Sequence, residues 1–179
     1  MLQVTIPAKE YFDPNNNEFI YVKETLLTLE HSLVSISKWE SKWKKPFIGR
    51  SGKTYEESVD YVRCMTLTQH VDPLVYLSIP DEIFATINAY IDEPMTATWF
   101  NNKDDKPNRE IVTSEVIYYW MIALNIPFEC QKWHLNRLLT LIRVCNIKNA
   151  PKKKMSKKDI LKRNRELNAA RRRELNTTG

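Results

Sequence analysis

Cys130 and His134 are the residues of this chain whose types and spacing come nearest to a metal site. They stand four residues apart, so they would share one face of a helix, and a thiolate with an imidazole supplies half of a tetrahedral zinc site. A closed site needs two further ligands, and the remaining candidates show no recognisable spacing: Cys64, Cys145, His31, His70 and the carboxylates. We therefore expect no bound metal, with Cys130 packed beside Phe128 and His134 at the edge of a helical hairpin.

A cysteine nucleophile with a histidine base would also need a group that positions the base and an oxyanion hole. The sequence has no nucleophile-elbow, phosphate-loop, dinucleotide-binding, zinc-protease or calcium-loop motif. Its three glycines offer little material for a turn that cradles phosphate. We therefore predict no catalytic residues and no cofactor, and we expect that the protein is not an enzyme.

Trp39 and Trp43 form a candidate site for single-stranded nucleic acid. The two rings are four residues apart and stand among basic side chains, at Lys38, Lys42, Lys44 and Lys45. Bases stack on aromatic rings while basic groups follow the phosphates, but such a site usually needs a longer groove. In the alternative interpretation both rings cover the end of a helix while the lysines remain in water. We favour this structural interpretation.

Charge is distributed unevenly along the chain. Residues 148–179 hold twelve Lys and Arg against three acidic residues, a net charge of +9, and residues 1–147 hold fifteen against nineteen, a net charge of −4, which sum to +5. A basic segment can bind nucleic acid, anionic membrane or acidic protein. The tail has no aromatic residues for base stacking and no large apolar anchors for membrane insertion, so a protein partner is at least as well supported as DNA.

The predicted partner-binding residues are the basic side chains of this tail: Lys152, Lys153, Lys154, Lys157, Lys158, Lys162, Arg163, Arg165, Arg171, Arg172 and Arg173. A solubilising tail without a partner is the alternative. Its few apolar residues do not make a core stripe, so we predict a segment that is flexible, or helical when bound.

The remaining elements are read from hydrophobic periodicity. Leu2, Val4 and Ile6 alternate with polar residues and predict a strand, and apolar residues on both sides of residues 13–17 predict a hairpin. A first long helix is predicted from Glu24 to Trp43. Thr54 and Glu57 have the spacing of a capping box that opens a second helix, Asp72-Pro73 marks a turn, and Pro80 fits the first position of a third helix. Asn101 to Arg109 is predicted to be an exposed loop.

Residues 111–145 predict two helices separated by Pro127, which cannot continue a helix. The first carries an apolar stripe of Val112, Val116, Trp120 and Ala123, widened by Ile117 and Leu124. The second starts near Phe128 and carries Leu135, Leu138, Leu139, Ile142 and Cys145. A short connection makes neighbouring helices antiparallel, so we predict an αα-hairpin on which the rest of the body packs.

Together these patterns predict a mainly α fold: one helical domain of about five to six helices over residues 1–147, with a small N-terminal β-hairpin or strand pair. A basic, partly helical C-terminal extension spans residues 148–179. No apolar run approaches the roughly 20 residues of a membrane span, and the first residues lack the pattern of a signal peptide. We expect a cytoplasmic protein with reduced cysteines.

Several segments resemble a family of tail assembly chaperones from long-tailed bacteriophages and prophages. They are the run EVIYYWMIALNIPFECQKWHLNRLLTLIRVCNIKN, WESKW at 39–43, RCMTLTQHVDP at 63–73, PMTATWF at 94–100 and the closing LNAARRRELNTTG. The resemblance covers nearly the whole chain. It implies a role but no catalytic or ligand positions.

Members of that family bind the long, largely helical tape measure protein before tail-tube subunits polymerise around it, and they are absent from the finished virion. The resemblance therefore implies the tape measure protein as partner in the host cell cytoplasm. A longer form made by ribosomal frameshifting and the tail-tube subunits are the further partners it suggests. The alternatives are a nucleic-acid-associated protein of phage replication or packaging that uses the basic tail, and a minor structural component of the virion.

Overall fold

The computed structural model describes residues 1–14, 17–49, 52–100, 111–150 and 157–177. Over these residues the chain is mainly helical with a small N-terminal β-structure, which confirms the predicted fold class. The strands are β1 (Leu2–Ile6), β2 (Lys9–Asp13), β3 (Glu18–Val22) and β4 (Thr25–Leu29). The helices are α1 (Leu33–Trp43), α2 (Tyr55–Met65), α3 (Pro73–Leu77), α4 (Asp81–Asp92), α5 (Ser114–Ala123), α6 (Leu135–Asn149) and α7 (Lys157–Leu175), with a short 3-10 helix at Phe128–Lys132. Backbone contacts divide the chain into Met1–Ile147, called the body below, and Lys148–Gly179.

The four strands form two antiparallel pairs, β1 with β4 and β2 with β3. The predicted first strand is confirmed, since its alternation buries Val4 and Ile6 on one side. The predicted hairpin is confirmed as well. Phe12 and Phe19 are opposite each other in its register, with ring centroids 5.1 Å apart, which is a stabilising cross-strand pair.

The helix predicted from Glu24 to Trp43 is wrong in its first half, because this part of the chain is β4. Leu26 and Leu29 fit helical spacing, yet the buried residues are Leu27 and Leu29, and Leu26 is 53% exposed. Strand β1 needs a partner for its backbone hydrogen bonds, and this long-range pairing overrides a weak local preference for helix.

Helices α1 and α2 both begin with a capping box. The side chain of Ser32 accepts a hydrogen bond from the amide of Ser35 at the start of α1, and Thr54 does the same for Glu57 at the start of α2. The second box is confirmed as predicted. The first has serine at the third helical position, where the usual signature has Glu or Gln, so the sequence pattern does not reveal it.

Asp72 and Pro73 begin the short helix α3, so the predicted turn is wrong. The Asp72 carboxylate accepts a hydrogen bond from the amide of Leu74 at 2.9 Å, and Pro73 takes the first helical position, where its missing amide hydrogen has no effect. Pro80 precedes α4 as its N-cap residue, one position earlier than predicted.

Residues 111–145 contain two helices, as predicted, but the second begins at Leu135 and not near Phe128. Residues 128–132 form the 3-10 helix and Trp133 is extended, so a longer connection separates α5 from α6. Helix α5 packs most closely on α1, so the predicted close hairpin with α6 is wrong. The stripe on α6 is confirmed, since Leu135, Leu138 and Ile142 are buried.

The stripe predicted on α5 is rotated from the observed one. The buried residues are Ser114, Ile117 and Met121, whereas Ala123 is exposed and Val116 is partly exposed. Spacing alone could not choose this face, because α5 carries apolar residues on almost every side. The choice is made by α1, which contributes Leu33, Ile36 and Trp39 to the same core.

The loop predicted at Asn101 to Arg109 lies outside the described residues. Among the helices that the structure describes, none combines the length and the apolar character needed to cross a membrane.

Candidate partner-binding site

The outer side of α5 presents large apolar side chains to solvent. Tyr119 is 66% exposed, Ile122 is 60% exposed, and Phe128, just beyond the helix, is 53% exposed. Tyr118 is partly buried beside them, with its ring centroid 6.4 Å from that of Phe128. These four residues are called the α5 face below.

The α5 face exists because the sequence of this helix is apolar all round while its packing is one-sided. Helical spacing directs Ile117 and Met121 to the core, places Tyr119 and Ile122 on the side away from it, and puts Tyr118 at the boundary between the two. A helix that is apolar on every side is normally buried on every side. An exposed cluster of large apolar groups is typical of an interaction surface, and in the α5 face most of this cluster lies on one helix.

The α5 face is held in place by contacts at the start and in the middle of the helix. At the start, the Glu40 carboxylate accepts a hydrogen bond from the amide of Ser114 at 2.8 Å. In the middle, the hydroxyl of Tyr118 donates to the side-chain oxygen of Gln131 at 2.9 Å, which ties the helix to the 3-10 segment that carries Phe128. The surface is therefore preorganised, so this chain loses little conformational entropy when a partner binds.

Helix α7 is the second candidate surface. All of its residues are exposed, and it carries eight of the eleven predicted partner-binding residues: Lys157, Lys158, Lys162, Arg163, Arg165, Arg171, Arg172 and Arg173. The other three, Lys152, Lys153 and Lys154, lie outside the described residues. Against these eight cations the helix holds Asp159, Glu166 and Glu174, so its net charge is 8 − 3 = +5.

Four basic side chains of α7 share one side of the helix. Lys158, Lys162, Arg165 and Arg172 recur at intervals of four, three and seven residues and lie on that side, while Arg163 and Arg171 point towards the other side with Ile160 and Leu167. The positive side would attract carboxylates or phosphates alike, because Coulombic attraction does not distinguish them. Charge alone therefore does not select one class of anionic partner for α7.

Cys130 and His134 do not have the shared helix face on which the predicted pair of ligands depends. The 3-10 helix ends between them, so they do not share a helix face, and Nε2 of His134 is 3.0 Å from the carbonyl oxygen of Tyr90. The prediction that His134 lies at the edge of a helical hairpin is wrong, because this residue is buried against the ring of His31. Among the residues that the structure describes, no three Cys, His, Asp or Glu side chains are grouped to hold an ion.

The three cysteines are free thiols, but only Cys130 is fully buried, whereas Cys64 and Cys145 are partly exposed. Burial raises the pKa of Cys64 to about 11, and it also raises the pKa of Cys130. Neither thiol is therefore an activated thiolate at neutral pH.

Trp39 and Trp43 are structural, as the favoured interpretation predicts. Trp39 is 1% exposed and its indole nitrogen donates to the carbonyl oxygen of Glu57 at 2.8 Å. The indole of Trp43 donates to Asp60, which also pairs with Lys42, and Lys45 pairs with Glu57. Both indoles thus join α1 to α2, and the burial of Trp39 leaves no pair of exposed rings on which bases could stack.

Sequence reasoning identified the basic helix but did not single out Tyr119, Ile122 and Phe128. One signal in the sequence could have found them. A helix that packs on one side only normally has a polar side facing water, and α5 has none.

Comparison of the chain with protein-family models, with curated proteins and with solved structures finds no match.

Proposed function

We propose that this protein is a tail assembly chaperone of a long-tailed phage, which binds the tape measure protein and keeps it soluble until the tail tube assembles. The observation that carries the proposal is the exposed α5 face, formed by Tyr118, Tyr119, Ile122 and Phe128. The resemblance of the sequence to tail assembly chaperones supports the same role. The site of action is then the host cell cytoplasm.

A long helical protein that waits for its tube exposes apolar stripes, which aggregate unless they are covered. The α5 face offers a complementary apolar surface on a rigid helix, and two helices pack side chains of this size into each other's grooves. Binding by apolar burial would be reversible and tolerant of sequence, since it depends on area and shape. No catalytic group is needed for this mechanism.

Helix α7 would act in the same function through its positive charge. A charged, exposed helix raises the rate of encounter with acidic segments of the partner, while the apolar contacts determine how long the complex lasts. The longer frameshifted form and the tail-tube subunits are the further partners that this role implies.

The proposal is tested by co-expression of this chain with the tape measure protein of the same phage. Ile122→Asp and Tyr119→Asp should each reduce the soluble fraction of the tape measure protein, because a charge buried in an apolar contact is strongly unfavourable. Leu77→Asp is the matched control, since Leu77 is also 60% exposed near the end of a helix but lies on α3. All three variants should melt near the wild-type temperature.

A tape measure protein that is equally soluble with and without this chain would end the chaperone proposal. If Leu77→Asp and Ile122→Asp lower the soluble fraction of the tape measure protein equally, the α5 face is not the surface that binds it. The virion-component alternative is tested by mass spectrometry of purified particles, in which the chaperone proposal expects this chain to be absent.

The second candidate function is nucleic-acid binding, and the observation that favours it is the basic side of α7 formed by Lys158, Lys162, Arg165 and Arg172. A helix with this charge can follow phosphates without reading sequence. The salt dependence argued in the Discussion separates it from the chaperone role.

A further inference from the structure

A cleft of about 530 Å³ opens into the body between α2, α4 and the start of α6. Its volume falls within the roughly 300–1,000 Å³ that is common for small-molecule sites. Aromatic and aliphatic side chains form most of its wall, among them Phe84 of α4 and Leu139 of α6. Polar side chains line the rest of it, and two of them are charged, Lys53 and Asp92.

The deepest part of the cleft is neutral and aromatic. His31 and Tyr61 are 2% and 3% exposed, and Nδ1 of His31 lies 2.5 Å from the hydroxyl of Tyr61. The ring of Phe47 lies against that of Tyr61, with 4.1 Å between centroids. Burial, followed by Coulombic interactions with His134 and Lys53, lowers the pKa of His31 to about 3, so its imidazole is neutral at physiological pH.

Lys53 is a positively charged residue that lines this cleft. Its ammonium nitrogen lies 3.9 Å from the ring centroid of Phe47 and donates to the carbonyl oxygen of that residue at 3.1 Å. Within the described part of the chain no carboxylate pairs with it at salt-bridge distance, because Glu57 pairs with Lys45 instead. Burial lowers the pKa of Lys53, and the more distant attraction of Glu57 opposes this effect. The ammonium is thus partly desolvated, held in place, and able to donate further hydrogen bonds.

A carboxylate in the lining of the cleft limits the charge of a ligand. Asp92 of α4 also lines the cleft, together with the uncharged amide of Asn88. A second or third negative charge on a ligand would be repelled by the Asp92 carboxylate, so a polyanion such as a nucleoside triphosphate does not fit. One negative group beside Lys53 and an apolar group against the rings of Phe47 and Tyr61 fit this lining.

We propose that this cleft binds a small organic monoanion with an aromatic or branched aliphatic body, held by Lys53 through its acidic group and by the rings of Phe47 and Tyr61 through its apolar part. The site is separate from the α5 face and does not depend on the chaperone role. Free carboxylic acids and the acidic side chain or terminus of a peptide present the same chemistry.

The test uses phenylacetate and its neutral isostere phenylacetamide as probes, titrated into the ¹⁵N-labelled full-length protein and followed by NMR. Phenylacetate should bind saturably and shift the amide signals of Lys53 and Asn88, and phenylacetamide should bind at least about tenfold more weakly, since it lacks the charge-assisted hydrogen bond. A short peptide that ends in phenylalanine, with and without C-terminal amidation, distinguishes a peptide terminus from a free acid.

Variants make the assignment specific. Lys53→Met should weaken phenylacetate binding about tenfold or more and Lys53→Arg should largely restore it, because arginine keeps the charge. Asn88→Trp, at an exposed position on the rim, should block the cleft without disturbing the core, and Ile122→Asp should leave binding unchanged. Equal affinity for the acid and the amide, wild-type affinity in Lys53→Met, or no saturable binding at millimolar phenylacetate would each overturn the proposal.

Discussion

Glu40, in the second half of α1, accepts a hydrogen bond from the backbone amide of Ser114 at 2.8 Å, although 74 residues separate them. Its other carboxylate oxygen accepts a hydrogen bond from the amide of Phe47 at 2.7 Å. Thr113, the local N-cap residue of α5, makes no side-chain capping bond. Glu40 therefore supplies from a distance the acceptor that a helix start usually finds next to it. One buried carboxylate joins α1, the loop after it, and the helix that carries the α5 face.

Glu40→Ala should lower the free energy of unfolding by about 2–6 kcal/mol, because it leaves two buried amides without an acceptor at about 1–3 kcal/mol each. Chemical denaturation followed by circular dichroism measures the change. Lys38→Ala on the same helix is the matched control, since Lys38 is exposed and its replacement should cost less than about 0.5 kcal/mol. Equal stability of the two variants would show that the carboxylate is not needed to hold α5.

This contact illustrates why the fold class could be predicted while the packing could not. Periodicity and capping signals are local, so they correctly predicted helix α2 with its capping box at Thr54 and the strand at Leu2–Ile6. The pairing of β4 with β1 and the bond between Glu40 and Ser114 join distant parts of the chain, and a local pattern contains no information about them. The helix predicted at Glu24 fails for this reason.

The same distinction applies to the candidate sites. The basic residues of α7 could be predicted because charge needs no tertiary context. The α5 face could not be predicted, because the exposure of Tyr119 and Ile122 depends on which side of α5 rests on α1. The ammonium of Lys53 and the imidazole of His31 line the same cleft because tertiary packing brings their segments together.

A chain ending at Ala150 should fold without α7. Every residue of α7 is exposed, so its removal takes no side chain from the buried core. Differential scanning calorimetry should show one cooperative transition within a few degrees of the full-length protein. A chain ending at Lys132 is the contrasting control, because it loses the buried residues Leu138 and Ile142 and should not fold. A loss of cooperative melting in the chain ending at Ala150 would mean that the tail contributes to the core.

Mild acid should destabilise the body through His31. Its folded pKa is about 3, lowered by burial, then by His134 and Lys53, and the ordinary value is 6.5, so between these values the unfolded chain binds the additional proton. The contribution of His31 is fully present above pH 6.5 and is lost as the pH falls towards 3. Between pH 7 and pH 5 the loss should be about 2 kcal/mol, at about 1.4 kcal/mol for each pKa unit.

The variant His31→Asn tests this assignment. It should be less stable at pH 7, since it disturbs the contact with Tyr61, but it should lose less stability than the wild type between pH 7 and pH 5. His70→Asn is the control, because His70 is exposed and has a φ of 56°, which asparagine tolerates. Urea denaturation at both pH values gives the comparison. An unchanged pH dependence in His31→Asn would assign the acid sensitivity to other groups.

The chaperone and nucleic-acid roles of α7 differ in how their affinities depend on salt. If the tail neutralised about six phosphates, duplex DNA affinity would be independent of sequence and would fall with a log–log salt slope of roughly −5. We expect weak DNA binding at physiological salt. For the tape measure protein we expect capture that salt slows but does not abolish, because salt screens exposed charges and leaves apolar burial on the α5 face largely intact.

Changing Arg171, Arg172 and Arg173 to Ala should therefore lower the association rate of the complex with the tape measure protein and leave its dissociation rate almost unchanged in surface plasmon resonance. The matched control changes Lys23, Lys38 and Lys132 to Ala, which removes the same charge from exposed positions of the body. If the arginine variant instead loses submicromolar DNA affinity that the control retains at physiological salt, α7 is a phosphate-binding helix and the nucleic-acid role is the better explanation of its charge.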